Sequence, residues 1–209
     1  LTQALRQITD YELKVLIRRP NSGNTNNGEF KTVNGDLRHV ETLIRASEGI
    51  DTIIHLAAIT HSHEIDLYDE INRLGTENLI HAATLSRVKQ FIFLSSKSAS
   101  YRAGEYARSK IRAEKSLIRS NLDWTIIRPA EIYGIESKDG IQKVIDIVKK
   151  GYPLPIVGKG NYTLAPVFVD DVVNGIVSTI DNNKARRTIF VFEGPKEYTF
   201  VDMVEVLEN

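Results

Sequence analysis

Short apolar runs alternate with longer amphipathic stretches along most of the chain. Glu12 to Ile17 (ELKVLI) alternates, then runs apolar into Arg18-Arg19-Pro20, the pattern of a strand followed by a break. Phe30 to Val33 reads as a second short strand, and Asp51 to Ala58 (DTIIHLAA) as a buried strand ending in small residues. Phe91 to Leu94 is an unbroken apolar run, as expected of a strand covered on both faces, and Trp124 to Arg128 is a further strand stopped by Pro129. Between them, helical spacing predicts helices over Leu1–Gln7, Leu37–Ser47 and Ile65–Leu85, and through Tyr106 and Lys110 to a close at Leu117–Ser120. Beyond Arg128 the pattern loosens into a helix over Gly140–Lys150 and a strand over Pro166–Val169. A helix starts at Asp170, with Asp170 or Asp171 as N-cap. A strand over Thr188–Phe192 and a helix start at Thr199-x-x-Asp202 follow. Asn21 to Gly28 is turn chemistry throughout, and Pro153 to Gly160 is loop or short strand. Strands alternating with helices imply right-handed crossovers and an α/β, doubly wound parallel sheet.

Composition narrows the class without naming an activity. The 209 residues suffice for a full core in one domain, or one domain with a small lobe. With 27 basic and 27 acidic residues there is no net field to favour nucleic acid or an anionic membrane. No apolar run approaches the ~20 residues that cross a bilayer. Zero cysteines exclude a disulfide framework, a cysteine nucleophile and a cysteine-bound metal, and fit a cytoplasmic location.

The stretch with most chemistry is Phe91 to Lys110, FIFLSSKSASYRAGEYARSK. Ser95 and Ser96 fall at the C-terminal end of the predicted strand, where open α/β sheets place their ligands. Tyr106 and Lys110 are four apart, so a helix presents both on one face. An ammonium near 4 Å from a phenolate contributes about 4 kcal/mol at an effective dielectric of ~20. That predicts a Tyr106 pKa lowered by up to roughly three units, suited to general acid–base work. His61 and His63 flank Ser62 without a carboxylate pattern and read as loop residues rather than metal ligands, and Trp124 as core.

Taken in order, the chain offers Asp36-Leu37, His55-Leu56-Ala57-Ala58, Asn72-x-x-Gly75-Thr76, Ser95-Ser96 and Tyr106-x-x-x-Lys110. Arg128-Pro129-x-x-Ile132-Tyr133-Gly134 and Pro166-Val-x-Val-Asp170-Asp171-Val follow. This series resembles the extended short-chain dehydrogenase/reductase superfamily, specifically its NAD-dependent epimerase/dehydratase group, over nearly the whole chain. The resemblance implies a Rossmann-type doubly wound parallel sheet with a small C-terminal substrate lobe. Residues 1–129 would bind the dinucleotide, and 130–209 would complete the sheet and form the lobe. It implies Tyr106 as catalytic acid/base, Lys110 as the group that lowers its pKa and holds the nicotinamide ribose, and Ser96 as the hydrogen-bond partner of the reacting substrate oxygen. Asn72 would touch the cofactor ribose or order water beside Lys110. Leu56, Ala57, Ala58 and Pro129 would line the cofactor, and Asp36 and Leu37 would sit beside the adenine. Asp36 is an equally good helix N-cap.

Arg18 and Arg19 stand where an acid would bind the ribose 2′-hydroxyl, and arginine there suits a 2′-phosphate. We therefore expect NADP(H), with NAD(H) as second choice. Glu131 occupies a place where many sugar-nucleotide epimerases carry an asparagine toward the substrate's pyrophosphate. A carboxylate there weakens the case for a nucleotide sugar and favours a reductase of a smaller carbonyl compound. The third reading is a non-catalytic dinucleotide-binding sensor or assembly protein. The superfamily's Gly-x-x-Gly-x-x-Gly loop and its strand have no counterpart in the sequence, so a piece ahead of Leu1 is expected, and Asn209 is an early end for the lobe. A small-molecule substrate and a homodimer through Ile65–Leu85 and Glu105–Ser120 complete what the resemblance implies.

Overall fold

A computed structural model describes residues 1–7, 11–18, 30–134, 140–154, 156 and 158–208. Arg19, the Asn21–Gly28 turn and part of Pro153–Gly160 lie outside the described residues. The central sheet has four parallel strands in the order β3 (Thr52–His55), β4 (Gln90–Leu94), β5 (Trp124–Pro129) and β9 (Thr188–Phe192). A separate parallel pair joins β1 (Lys14–Ile17) to β2 (Lys31–Asn34). Two short pairs complete the strands: β6 (Ile132–Tyr133) with β8 (Val167–Phe168), and β7 (Thr163–Leu164) with β10 (Tyr198–Thr199).

The period-two alternation of the strands divides the core. Phe91, Phe93, Trp124 and Ile126 point to one face, where they pack with residues of α2 (Val40–Ser47), α3 (Gly75–Leu85) and α4 (Glu105–Ile118). Ile92 and Ile127 point to the other, against Val172 and Ile176 of α6 (Val169–Thr179). The short α1 (Thr2–Gln7) buries Leu5 on that side and touches α6. A third cluster, around Ile141 of α5 (Ile141–Lys149) and Phe200 and Met203 of α7 (Phe200–Glu208), forms a small C-terminal lobe. The segment after Pro129 is thus divided, with β9 and α6 in the main body and α5 and α7 outside it.

Three boundaries differ from the sequence pattern. The strand expected over Asp51–Ala58 ends at His55, because its pairing with β4 stops at His55–Phe93, so Leu56, Ala57 and Ala58 leave the sheet as loop. The expected start of α2 at Leu37 moves to Val40. Asp36 instead closes a turn, accepting from the Arg38 amide through Oδ1 at 3.0 Å and from the His39 amide through its carbonyl at 2.9 Å. The N-cap of α6 is Phe168, with Asp170 and Asp171 already in its first turn.

The long helix is helical from residue 66 to 85, but Tyr68–Leu74 has π geometry before α3 begins. Such one- or two-turn π segments occur mostly at functional sites. Gly75, the first residue of α3, lets Leu37 approach: a Cβ there would meet the Leu37 Cβ at 2.8 Å.

Candidate active site

All strands of the main sheet and of the β1–β2 pair run parallel. Consequently Arg18, Asp36, Leu56–Ala58, Ser95–Ser96 and the end of β5 lie at the C-terminal ends of their strands. Leu56 is 41% exposed and Ala57 is exposed beside it, which leaves an open apolar shelf at the tip of β3. Pro129 is buried, and its carbonyl accepts from the Lys97 amide at 2.8 Å, tying the loop after Ser96 to β5.

Helix α4 presents Tyr106, Lys110 and Glu114 at spacings of four toward this edge. The Tyr106 phenol lies near Ser96, whose hydroxyl pairs with Ser98 Oγ at 2.8 Å. The Tyr106 ring meets the edge of Tyr68 with centroids 6.3 Å apart. Lys110 is only 2% exposed; its Nζ donates to the Leu94 carbonyl at 2.7 Å and lies over the Phe93 ring, 4.2 Å from the centroid. Burial pulls the Lys110 pKa down to about 7, with the Glu114 charge opposing the fall.

This geometry reverses one expectation. The Tyr106 pKa is raised, not lowered: burial dominates, the nearby Ser96 hydroxyl pulls it partly back, and Tyr68 adds to the rise. The physical reason lies in Lys110, whose ammonium is spent on the Leu94 carbonyl and the Phe93 face rather than on the phenol. Tyr106 is therefore a firmly protonated acid in this state.

Two residues expected near the cofactor are packed and bonded within the scaffold. Asn72 is buried on the π segment, and its amide is fully used: Oδ1 accepts from the Ile59 amide at 2.8 Å, and Nδ2 donates to the Ile59 carbonyl at 2.9 Å and to Ser109 Oγ at 3.0 Å. Ser109 Oγ in turn donates to the Tyr106 carbonyl at 2.7 Å. Asn72 thus fixes the loop after β3 against the helix that carries Tyr106. Leu37 is buried against Gly75, and its carbonyl takes Asn78 Nδ2 at 2.8 Å. Asp36 is gripped by Arg38 through Nε at 3.1 Å and Nη2 at 2.7 Å, which holds its carboxyl at about 2; exposed Arg18 adds a smaller pull. Glu131 is exposed, and the loop lysine Lys97, paired with Glu193 at 2.5 Å, also feels Glu197 and Glu131.

Sequence reasoning passed over three contributors. Glu114 is buried against Ser95 and Arg128, a position that the 106–110–114 spacing points to once Tyr106 and Lys110 are singled out. Tyr68 accepts from the Ser62 amide at 2.8 Å, stapling the loop after β3; nothing in the sequence marks it. His55 is buried, bonded through Nε2 to Thr76 Oγ1 at 2.9 Å and stacked on Phe93. Since Thr76 Oγ1 donates to the Asn72 carbonyl at 2.6 Å, His55 must carry its proton on Nε2. Among the described residues no group of three or more histidines, cysteines or carboxylates is placed to hold a metal ion.

A model of the NAD dependent epimerase/dehydratase family matches residues 1–191. The chain belongs to that family. Several of its curated relatives are enzymes. It is 29% identical to the UDP-glucose 4-epimerase of Vibrio cholerae, over 99% of this chain and 70% of that protein. It is 27% identical to the 3 beta-hydroxysteroid dehydrogenase/Delta 5-->4-isomerase of Mycobacterium tuberculosis over 71% of this chain, and spans about half (48%) of that protein's length. Among solved structures, Pal from Bacillus thuringiensis superposes with a TM-score of 0.85 at 22% identity, covering 99% of this chain and 77% of that one. A dTDP-glucose 4,6-dehydratase mutant from Streptomyces venezuelae, solved with NAD bound, gives 0.82 at 24% identity, covering 99% and 73%. The fold is therefore the Rossmann-type fold of these proteins. No helix among the described residues is long and apolar enough to cross a membrane.

The residues that could hold a dinucleotide are Tyr106, Lys110 and Ser96 by the tip of β4, the open Leu56–Ala57 shelf after β3, and Arg18 with the Asp36–Arg38 pair at the end of the β1–β2 pair.

Proposed function

We propose that the protein is an NAD(P)-dependent epimerase, dehydratase or reductase in which Tyr106 moves the proton at the reacting substrate oxygen. The observation that carries this is the placing of Ser96 at the tip of β4 near Tyr106, with Lys110 one helical turn further along α4. When bound, the nicotinamide supplies the hydride acceptor or donor. The chain's own residues do the rest. Ser96 orients the substrate oxygen and Tyr106, a protonated acid here, donates to it or takes its proton back. Lys110 holds the ribose. Residues 1–129 carry the cofactor and 130–209 supply the substrate lobe.

The substrate class this reading favours is a nucleotide sugar, in line with the names of the epimerase and dehydratase relatives. The exposed carboxylates Glu131, Glu193 and Glu197 around Lys97 favour the second reading, reduction of a smaller, uncharged carbonyl compound, because they repel a diphosphate. Arg18, exposed at the end of β1, supports NADP(H) over NAD(H). Exposed Leu74, Leu85 and Ile118 support a homodimer through the helices that carry them, which light scattering would test.

The test uses the intact protein, titrated with NADPH and NADH and then assayed on a panel of nucleotide sugars and small carbonyl compounds. NADPH should bind more tightly; equal affinities would sink the NADP(H) preference. Tyr106→Phe should cost about 10²- to 10⁴-fold in kcat while leaving cofactor affinity in place. Full activity in that variant would hand the case to the non-catalytic reading.

A further inference from the structure

Glu114 has a side chain only 1% exposed. Its Oε1 accepts from Ser95 Oγ at 2.5 Å and from Arg128 Nε at 2.9 Å, and its Oε2 accepts from Arg128 Nη2 at 2.5 Å. Burying an ion pair carries a desolvation cost, and replacing both partners by apolar residues of similar volume is often neutral or stabilising. Packing alone therefore does not explain a carboxylate at this position. Its placement does. Glu114 lies one turn beyond Lys110 on the same face of α4, and its hydrogen bonds reach the tip of β4 at Ser95 and β5 at Arg128.

Lys110 is buried with two neutral partners, the Leu94 carbonyl and the Phe93 ring, which offset only part of the loss of water around an ammonium. The charged and titratable groups near it come from three elements. Tyr106 and Glu114 share its helix, His55 faces it from β3, and Arg128 on β5 stands behind Glu114. His55 is neutral and Tyr106 is protonated, so Glu114 is the counter-charge.

We propose that Glu114, held by Arg128 and Ser95 beside the Leu94 carbonyl that takes Lys110 Nζ, is a positioning residue that raises the share of Lys110 present as an ammonium at neutral pH. Its functional meaning rests on the reading of Lys110 as part of the cofactor site; its electrostatics do not.

The experiment is an NMR titration of the intact protein labelled with ¹³C at lysine Cε, from about pH 5 to 11, with Lys110 assigned by Lys110→Arg. Glu114→Gln should lower the Lys110 midpoint by at least about one unit, the usual size for loss of a nearby opposite charge. Glu114→Met combined with Arg128→Met strands no charge and keeps the test open if the single variant does not fold. It should lower the midpoint in the same direction by less, because the opposing Arg128 charge leaves too. An unchanged midpoint in either folded variant overturns the proposal. The pH profile of kcat/KM is read alongside, and its Lys110 limb should follow the NMR midpoint. A midpoint that falls while the profile stays put would uphold the electrostatic role of Glu114 and overturn instead the reading of Lys110 in the reaction centre.

Discussion

Two charge clusters of similar chemistry sit on neighbouring helices in opposite environments. On the π segment and α3, Arg73 bridges Asp69, at 2.7 and 2.6 Å, and Glu77, at 3.2 Å, and Asp69 also takes Arg112 of α4 at 3.2 Å. Every member of that ladder is partly in water. Behind it, Glu114 holds Arg128 and Ser95 with no water in reach of its carboxylate. Both clusters have bidentate guanidinium geometry. The difference lies in the carboxylates: those of the outer ladder are screened by solvent and salt, whereas that of Glu114 is buried, although Arg128 is as exposed as Arg73, and it acts on Lys110 with less screening. The count of ion pairs says little about which one matters; their depth says more.

The largest effect should come from breaking the inner cluster on one side only. Glu114→Ala leaves Arg128 partly buried without its partner and should cost about 3 to 5 kcal/mol in urea unfolding. A loss below about 1 kcal/mol would mean that the two clusters are energetically alike.

The next effect sharpens the contrast through pH. His55 is buried, and its pKa falls to about 3, mainly by desolvation and further by the Lys110 charge. Below about pH 6.5 the unfolded chain takes up a proton that the folded protein refuses until about pH 3, so stability rises with pH across that window. Between pH 6.5 and 4.5 the protein should lose roughly 2 to 3 kcal/mol more than His55→Asn does. Parallel curves for the two would remove His55 from the account of acid lability.

The smallest effect belongs to the outer ladder. Asp69→Asn should cost no more than about 1 kcal/mol, and that cost should shrink further in high salt. A salt-independent loss of several kcal/mol would show that Asp69 supports the π segment rather than the surface alone.

Much of the candidate site was legible in the linear sequence because its signals are local. The run Phe91–Leu94 followed by Ser95-Ser96, and the four-residue spacing of Tyr106 and Lys110, place a strand tip and a helix face without knowledge of anything distant. The internal contacts of Asn72 and Leu37 were not legible, for the opposite reason. A lone asparagine on a helix carries no sign of which way it points, and Asn72 on the π segment turns its amide onto Ile59 and Ser109. Leu37 meets Gly75, which lies far along the chain.

The order of strands and helices, the parallel sheet and the Ser96–Tyr106–Lys110 set follow from the sequence by itself, because hydrophobic period and residue spacing are properties of the chain. Only the tertiary structure decided the protonation states. Those depend on burial and on charges brought together across sequence distance: Lys110 against the Leu94 carbonyl, Tyr106 half-buried beside Tyr68, His55 between Phe91 and Phe93, and Glu114 closed off by Arg128. Desolvation is a volume property of the folded molecule, and no linear pattern of residues encodes it.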